Sequence, residues 1–176
     1  MKKLYKLILL LYTLLLSCES PNGPISNSEE FFPLSIGNKW YYNTNNPDST
    51  TIDDIWEITG QKVLNNKEYY EMAIFHSKNN LKDTLYYRLN GDTLFSRRKN
   101  YNELIVADFS LTLNEPAYWQ NDLKVTHRTE NTITFETPFR ADYGYIITFK
   151  KGVGITVQIQ NGIDYQKLKL IKSELK

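Results

Sequence analysis

From Phe31 onward, large apolar side chains recur at every second position in short runs separated by turn residues, the period of a β-strand and not of a helix. Trp40 and Tyr42 share one face of a first run, Trp56 and Ile58 of a second, Tyr70, Met72 and Ile74 of a third, and Leu85, Tyr87 and Leu89 of a fourth. Residues 92–99, 102–111 and 123–129 read as further strands. Ile133-Phe135-Thr137-Phe139, Tyr143-Tyr145-Ile147-Phe149 and Val153-Ile155-Val157-Ile159 alternate strictly, and a last run ends in Leu168 and Leu170. Asn65-Asn66, Asn90-Gly91 and Asn161-Gly162 tolerate the positive φ that tight hairpins need. Residues 113–122 are the nearest helical candidate, but they contain Pro116 and hold no 3.6-residue period, so they read as a loop. Strands joined by such short turns pair with their sequence neighbours. The expectation is an all-β antiparallel meander of about ten strands that hides its apolar face by closing as a barrel or half-barrel, with a β-sandwich as the alternative.

Aromatic residues make up 14% of the chain, enough to occupy both faces of such a sheet. The parity argument sends Trp40, Tyr42, Trp56, Tyr70 and Tyr87 inward, and Tyr41, Tyr69, Phe75, Tyr86 and Phe95 outward. The outward set can serve simple cross-strand packing or form a ridge for a sugar, an apolar ligand or a protein. A cavity lined by Trp40, Trp56, Tyr70 and Tyr87 would make the domain a carrier of an apolar ligand.

The N-terminus follows different rules. Lys2, Lys3 and Lys6 precede an apolar run over residues 7–16, half the roughly 20 residues a membrane-spanning helix needs, and this reads as an export signal. Leu15-Leu16-Ser17-Cys18 then resembles a bacterial lipobox, and Cys18 is the single cysteine of the chain. The resemblance implies cleavage before Cys18, lipidation of its thiol and attachment to a membrane; because Glu19 and not Asp follows, it favours the outer membrane. Residues 1–17 are then the signal peptide, residues 18–30 (Ser, Pro, Asn, Gly and Glu apart from Ile25) the lipidated cysteine and a flexible tether, and residues 31–176 one β domain.

Composition narrows the function. The chain carries 21 Lys and Arg against 20 Asp and Glu; residues 1–17 hold three of the lysines and no acid, which leaves 18 against 20 in the mature protein. Such a balance gives nucleic acid no electrostatic footprint. One cysteine rules out an internal disulfide, and two distant histidines, His76 and His127, supply no local metal motif; no cofactor is expected.

Phe32-Pro33-Leu34-Ser35-Ile36-Gly37-Asn38-Lys39-Trp40-Tyr41-Tyr42 resembles the opening of a group of secreted or lipid-anchored bacterial proteins, frequent in Bacteroidetes, that begin F-P-L-x-x-G-N-x-W-x-Y. Ala107-Asp108-Phe109-Ser110-Leu111 is similar to the group's Y-D-F-x-L segment, with Ala107 in place of the aromatic, and Lys151-Gly152-Val153-Gly154-Ile155 to its late G-V-G turn. The resemblance implies a β-rich domain and brings no catalytic residues with it.

Catalysis leaves a weaker trace. Paired carboxylates for glycoside hydrolysis could come from Asp53, Asp54, Glu57, Asp108 and Asp142. Asp108 stands out because it interrupts an apolar run, where a charge must be hydrogen-bonded to be tolerated. No G-x-S-x-G elbow occurs. His76 and His127 read as solvated side chains, and Arg97-Arg98-Lys99 as an edge or turn feature. Asp48-Ser49-Thr50, Asp83-Thr84-Leu85 and Asp92-Thr93-Leu94 resemble a Bacteroidetes O-glycosylation sequon. The expectation is therefore a lipid-anchored cell-envelope protein with a non-catalytic binding or structural domain, its partner a glycan, an apolar ligand or an envelope protein, and a carbohydrate-active hydrolase the alternative. The residues expected at a ligand are Trp40, Tyr42, Trp56, Tyr70, Tyr87 and Asp108.

Overall fold

The computed structural model describes residues 30–44, 50–138, 144–161 and 166–176. Cys18 with its signal and tether, Asp48-Ser49, Phe139, Asp142, Tyr143 and Gly162 lie outside these residues. Among the described residues eleven strands form: β1 (Lys39–Asn43), β2 (Asp54–Leu64), β3 (Lys67–His76), β4 (Leu81–Asn90), β5 (Thr93–Arg97), β6 (Leu104–Asp108), β7 (Lys124–Arg128), β8 (Thr132–Thr137), β9 (Gly144–Lys150), β10 (Gly154–Asn161) and β11 (Gln166–Glu174). They make one antiparallel sheet in the order β6-β5-β4-β3-β2-β1-β11-β10-β9-β8-β7. Two meanders, β1 to β6 and β7 to β11, are thus joined by pairing the first strand with the last, Trp40 opposite Ser173. The ends of the domain meet in the middle of the sheet, and its edges belong to strands from mid-sequence.

The fold is all-β, as the alternation predicts, and the sheet stays open. Between β6 and β7 the chain must pass from one edge of the sheet to the other, and residues 109–123 fill that seam. The amide of Asn114 donates to Val125 O, that of Val125 to Glu115 O and that of Ala117 to Leu123 O, so the free edge of β7 is covered by loop. The guanidinium of Arg128 donates to the carbonyls of Leu111 (2.7 Å) and Phe109 (2.9 Å), tying the β6 side to β7 without a ladder. Asn114 and Asp122 take positive φ in this segment, which agrees with the loop read from sequence. The outcome is a half-barrel whose two halves face each other across one core.

That core is the inward parity set. Trp40, Tyr42, Trp56, Ile58, Met72, Ile74, Tyr87, Val125, Ile133, Phe135, Ile147, Phe149 and Ile155 are all buried in it. Rings from outside the sheet join it. Phe31 stacks on Phe109 with centroids 5.2 Å apart, while Phe32 stacks on Trp40 at 5.7 Å and meets Tyr87 and the edge of Phe149. These rings plug one end of the half-barrel. Glu30 fastens the plug to the β9–β10 turn: its carbonyl accepts the Gly152 amide at 2.6 Å and its carboxylate meets Lys151 Nζ at 2.7 Å.

The three sequence segments singled out by resemblance meet at this plugged end. Trp40 donates its indole N–H to Val153 O. Gly154, at φ +99°, lies so close under the rings that an added Cβ would stand 3.1 Å from Trp40 Nε1 and 3.4 Å from Phe32 Cδ2. A side chain there would meet both steric strain and an occupied space.

The outward aromatics do not form a ridge. Tyr69 and Tyr86 are buried, Phe95 and Tyr41 are half-buried, and Phe75 is exposed. Around Tyr69 a charged cluster closes over the sheet: Arg88 lies 4.1 Å from the Phe95 centroid and grips Glu103, which also accepts from the Tyr69 hydroxyl (2.7 Å) and Lys67 Nζ (2.9 Å).

Candidate functional site

At the end away from the plug the interior is hollow. A cavity of about 440 Å³ opens there, within the size of small-molecule sites. Its floor and walls are the ends of the inward parity sets: Trp56 of β2, Ile74 of β3, Leu85 and Tyr87 of β4, Val106 of β6, Tyr145 of β9, Ile155 of β10 and Leu168 of β11. Towards solvent the same parities continue into polar residues, Asp54, His76, Asp83, Ser96, Arg98 and Gln158.

The charged members are paired. His76 Nδ1 lies 2.9 Å from Asp54 Oδ1, joining the end of β3 to the start of β2. Arg98 Nη2 lies 3.2 Å from Asp83 Oδ2, joining the segment after β5 to β4. Asp83 Oδ1 also accepts the Thr84 amide at 2.7 Å. Deeper in, burial pushes the Tyr87 phenol up, and burial with the neighbouring Tyr87 pushes the Tyr42 phenol up further. Both therefore stay protonated and serve as hydroxyls, not as bases. The Tyr42 hydroxyl donates to Ile155 O at 2.9 Å, and its ring packs 4.8 Å from that of Trp56, fixing the latter from behind. Trp56 Nε1 is buried with no hydrogen-bond partner among the described residues, a cost of about 1–3 kcal/mol wherever it is left unmet.

Of the six residues expected at a ligand, the structure brings Trp56 and Tyr87 to the cavity and places Tyr42 behind Trp56. Trp40 sits in the plug at the other end. Tyr70 is half-buried against the core and does not line the cavity. Asp108 is buried and turned away from it: its Oδ1 accepts the Ser110 amide (3.0 Å) and hydroxyl (2.6 Å), so it is a turn-forming carboxylate whose hydrogen bonds account for its place in an apolar run. Of the other acids that are described, Asp53 accepts the Thr44 amide at 2.9 Å, Glu57 pairs with Lys39 at 3.2 Å on the outer face, and Asp54 reaches the cavity.

The lining residues that sequence reasoning passed over are His76, Asp83, Ser96, Arg98, Tyr145 and Gln158. A signal for several was present. His76 continues the parity of Met72 and Ile74, Asp83 that of Leu85 and Tyr87, and Asp54 that of Trp56, so following each inward face past its last apolar residue leads to the mouth. Among the described residues no group of His, Cys, Asp and Glu is placed to hold a metal ion, and no helix is long and apolar enough to cross a membrane.

No family model matches this chain, and neither a curated protein nor a solved structure matches it. The class the geometry defines is an open β half-barrel, plugged at one end and hollow at the other.

Proposed function

We propose that this is a lipid-anchored protein of the bacterial cell envelope, attached through Cys18, whose half-barrel works by binding a small molecule in its open cavity. The cavity carries the binding part of this reading: rigid strand ends, aromatic walls and polar groups converge on a space of small-ligand size. The lipobox and the composition of residues 18–30 support the anchoring part. Binding is favoured over hydrolysis because the two carboxylates that line the cavity, Asp54 and Asp83, are each engaged by a cationic or imidazole partner and not by each other. They are not arranged as an acid facing a free base.

Two measurements test the two parts. Replacing Cys18 with Ala should move the protein from the membrane fraction to the soluble fraction; retention in the membrane overturns the anchor. The neutral dye N-phenyl-1-naphthylamine should brighten on binding the soluble Cys18→Ala protein. Filling the cavity by Val106→Trp should abolish the signal while the melting temperature stays within a few degrees. Equal brightening of the filled variant overturns the site.

A further inference from the structure

We propose that the cavity takes a neutral, hydroxyl-rich ligand, a saccharide of one or two rings, and not a charged headgroup or a bare hydrocarbon. This rests on the cavity being the binding site. The walls alternate two kinds of surface. Trp56, Tyr87 and Tyr145 present flat apolar rings, which suit the C–H face of a pyranose. Asp54, His76, Asp83, Arg98, Ser96 and Gln158 present planar or compact hydrogen-bonding groups around them. A hydrocarbon chain would offer none of those groups a hydrogen bond.

Charge removes the ionic alternatives. Among the described residues, the charged or titratable side chains that line the cavity besides its tyrosines are Asp54, His76, Asp83 and Arg98, and they close on one another as Asp54–His76 at 2.9 Å and Asp83–Arg98 at 3.2 Å. An anion entering the mouth meets two carboxylates and must displace one from its partner. A cation meets Arg98 and must compete for a carboxylate that His76 or Arg98 already holds. A hydroxyl is both donor and acceptor, so it can use what each pair leaves over: the second oxygen of Asp54, the far ring nitrogen of His76, and the remaining N–H groups of Arg98. The mostly buried Asp54 carboxylate, held by His76, is oriented before the ligand arrives.

The direction of approach agrees. The chain enters the domain at Glu30, which is bound to Gly152 and Lys151 just beyond β9. Tyr145, at the other end of β9, lines the cavity five residues from Lys150, roughly 17 Å along the strand. The mouth therefore opens at the end opposite the point where an N-terminal anchor would attach, towards solvent-borne molecules.

The test uses the soluble Cys18→Ala protein and a panel of neutral saccharides (N-acetylglucosamine, N,N′-diacetylchitobiose, maltose, cellobiose) beside charged probes (glucuronate, glucosamine, phosphocholine) and palmitate. Each competes against N-phenyl-1-naphthylamine, with saturation-transfer NMR as a direct readout. At least one neutral sugar should displace the dye and be recovered intact. Asp83→Asn, which keeps shape while unbalancing the Arg98 pair, should weaken that sugar tenfold or more while the melting temperature stays within a few degrees of the parent. Dye binding with no response to any neutral sugar at 10–50 mM (roughly the weak end of specific recognition) overturns the saccharide assignment alone. So does tighter binding of palmitate or a charged probe. Failure of the dye itself overturns the site.

Discussion

The two ends of the half-barrel are built from the same strands and the same inward parity, yet one is filled and the other is empty. At the plugged end Phe31, Phe32 and Phe109, none of them in a strand, bring rings to Trp40 and Phe149. At the open end the inward positions pass from Ile74 to His76 and from Leu85 to Asp83, no ring from outside the strands arrives among the described residues, and a cavity remains. A sheet of this size does not fill itself. The difference between stability and a site is decided by segments that lie outside the strands.

The comparison breaks most directly through matched truncations. Phe32→Ala deletes a fully buried ring that touches Trp40, Tyr87 and Phe149, and should cost about 3–5 kcal/mol in urea unfolding. Leu85→Ala removes a half-buried side chain that already borders open space, and should cost only about 1 kcal/mol. Equal losses would mean that the plug is not what holds the fold. The next effect in size is at Gly154. Gly154→Ala combines a positive φ with a Cβ pressed against Trp40 and Phe32, and should destabilise by about 1–3 kcal/mol. Gly91→Ala, also at positive φ but with nothing near its Cβ, isolates the backbone part of that loss, so the difference between the two variants reads the packing part.

How much of this the sequence shows depends on which force decides. Alternation is local, so the strands, the loop at 113–122 and the inward places of Tyr42, Trp56 and Tyr87 are legible without coordinates. The openness of the sheet is not, because it follows from residues 109–123 running across the seam and from Arg128 reaching two carbonyls 17 and 19 positions away. Trp40 illustrates the harder limit. Its parity is inward and it lies in the plug, away from the cavity, since parity says which face a residue takes and nothing about how far along the barrel another segment will pack. Asp108 shows the reverse: its oddity in an apolar run is real, and a partner two residues away explains it. His76 and Arg98 stay hidden as single polar residues and acquire meaning only as halves of pairs with Asp54 and Asp83.

The smallest effect concerns a charge cluster on the outer face, which sharpens the contrast between groups paired for structure and groups paired at a mouth. Burial alone would raise the Glu103 carboxyl; hydrogen bonds from Arg88, Tyr69 and Lys67 outweigh it and hold the carboxyl down at about 2. A carboxyl depressed in the folded state contributes stability that is complete above its unfolded value near 4.5 and is lost as pH falls through that value towards 2. With screening by solvent the contribution is about 1 kcal/mol. Glu103→Gln should therefore lower the melting temperature by a few degrees at pH 7, and the gap to the parent should narrow between pH 4.5 and pH 2.5. Sugar and dye binding at pH 7 should not change, because Glu103 does not line the cavity. A loss of binding in this variant would join the outer cluster to the mouth and remove the separation on which the comparison of the two ends depends.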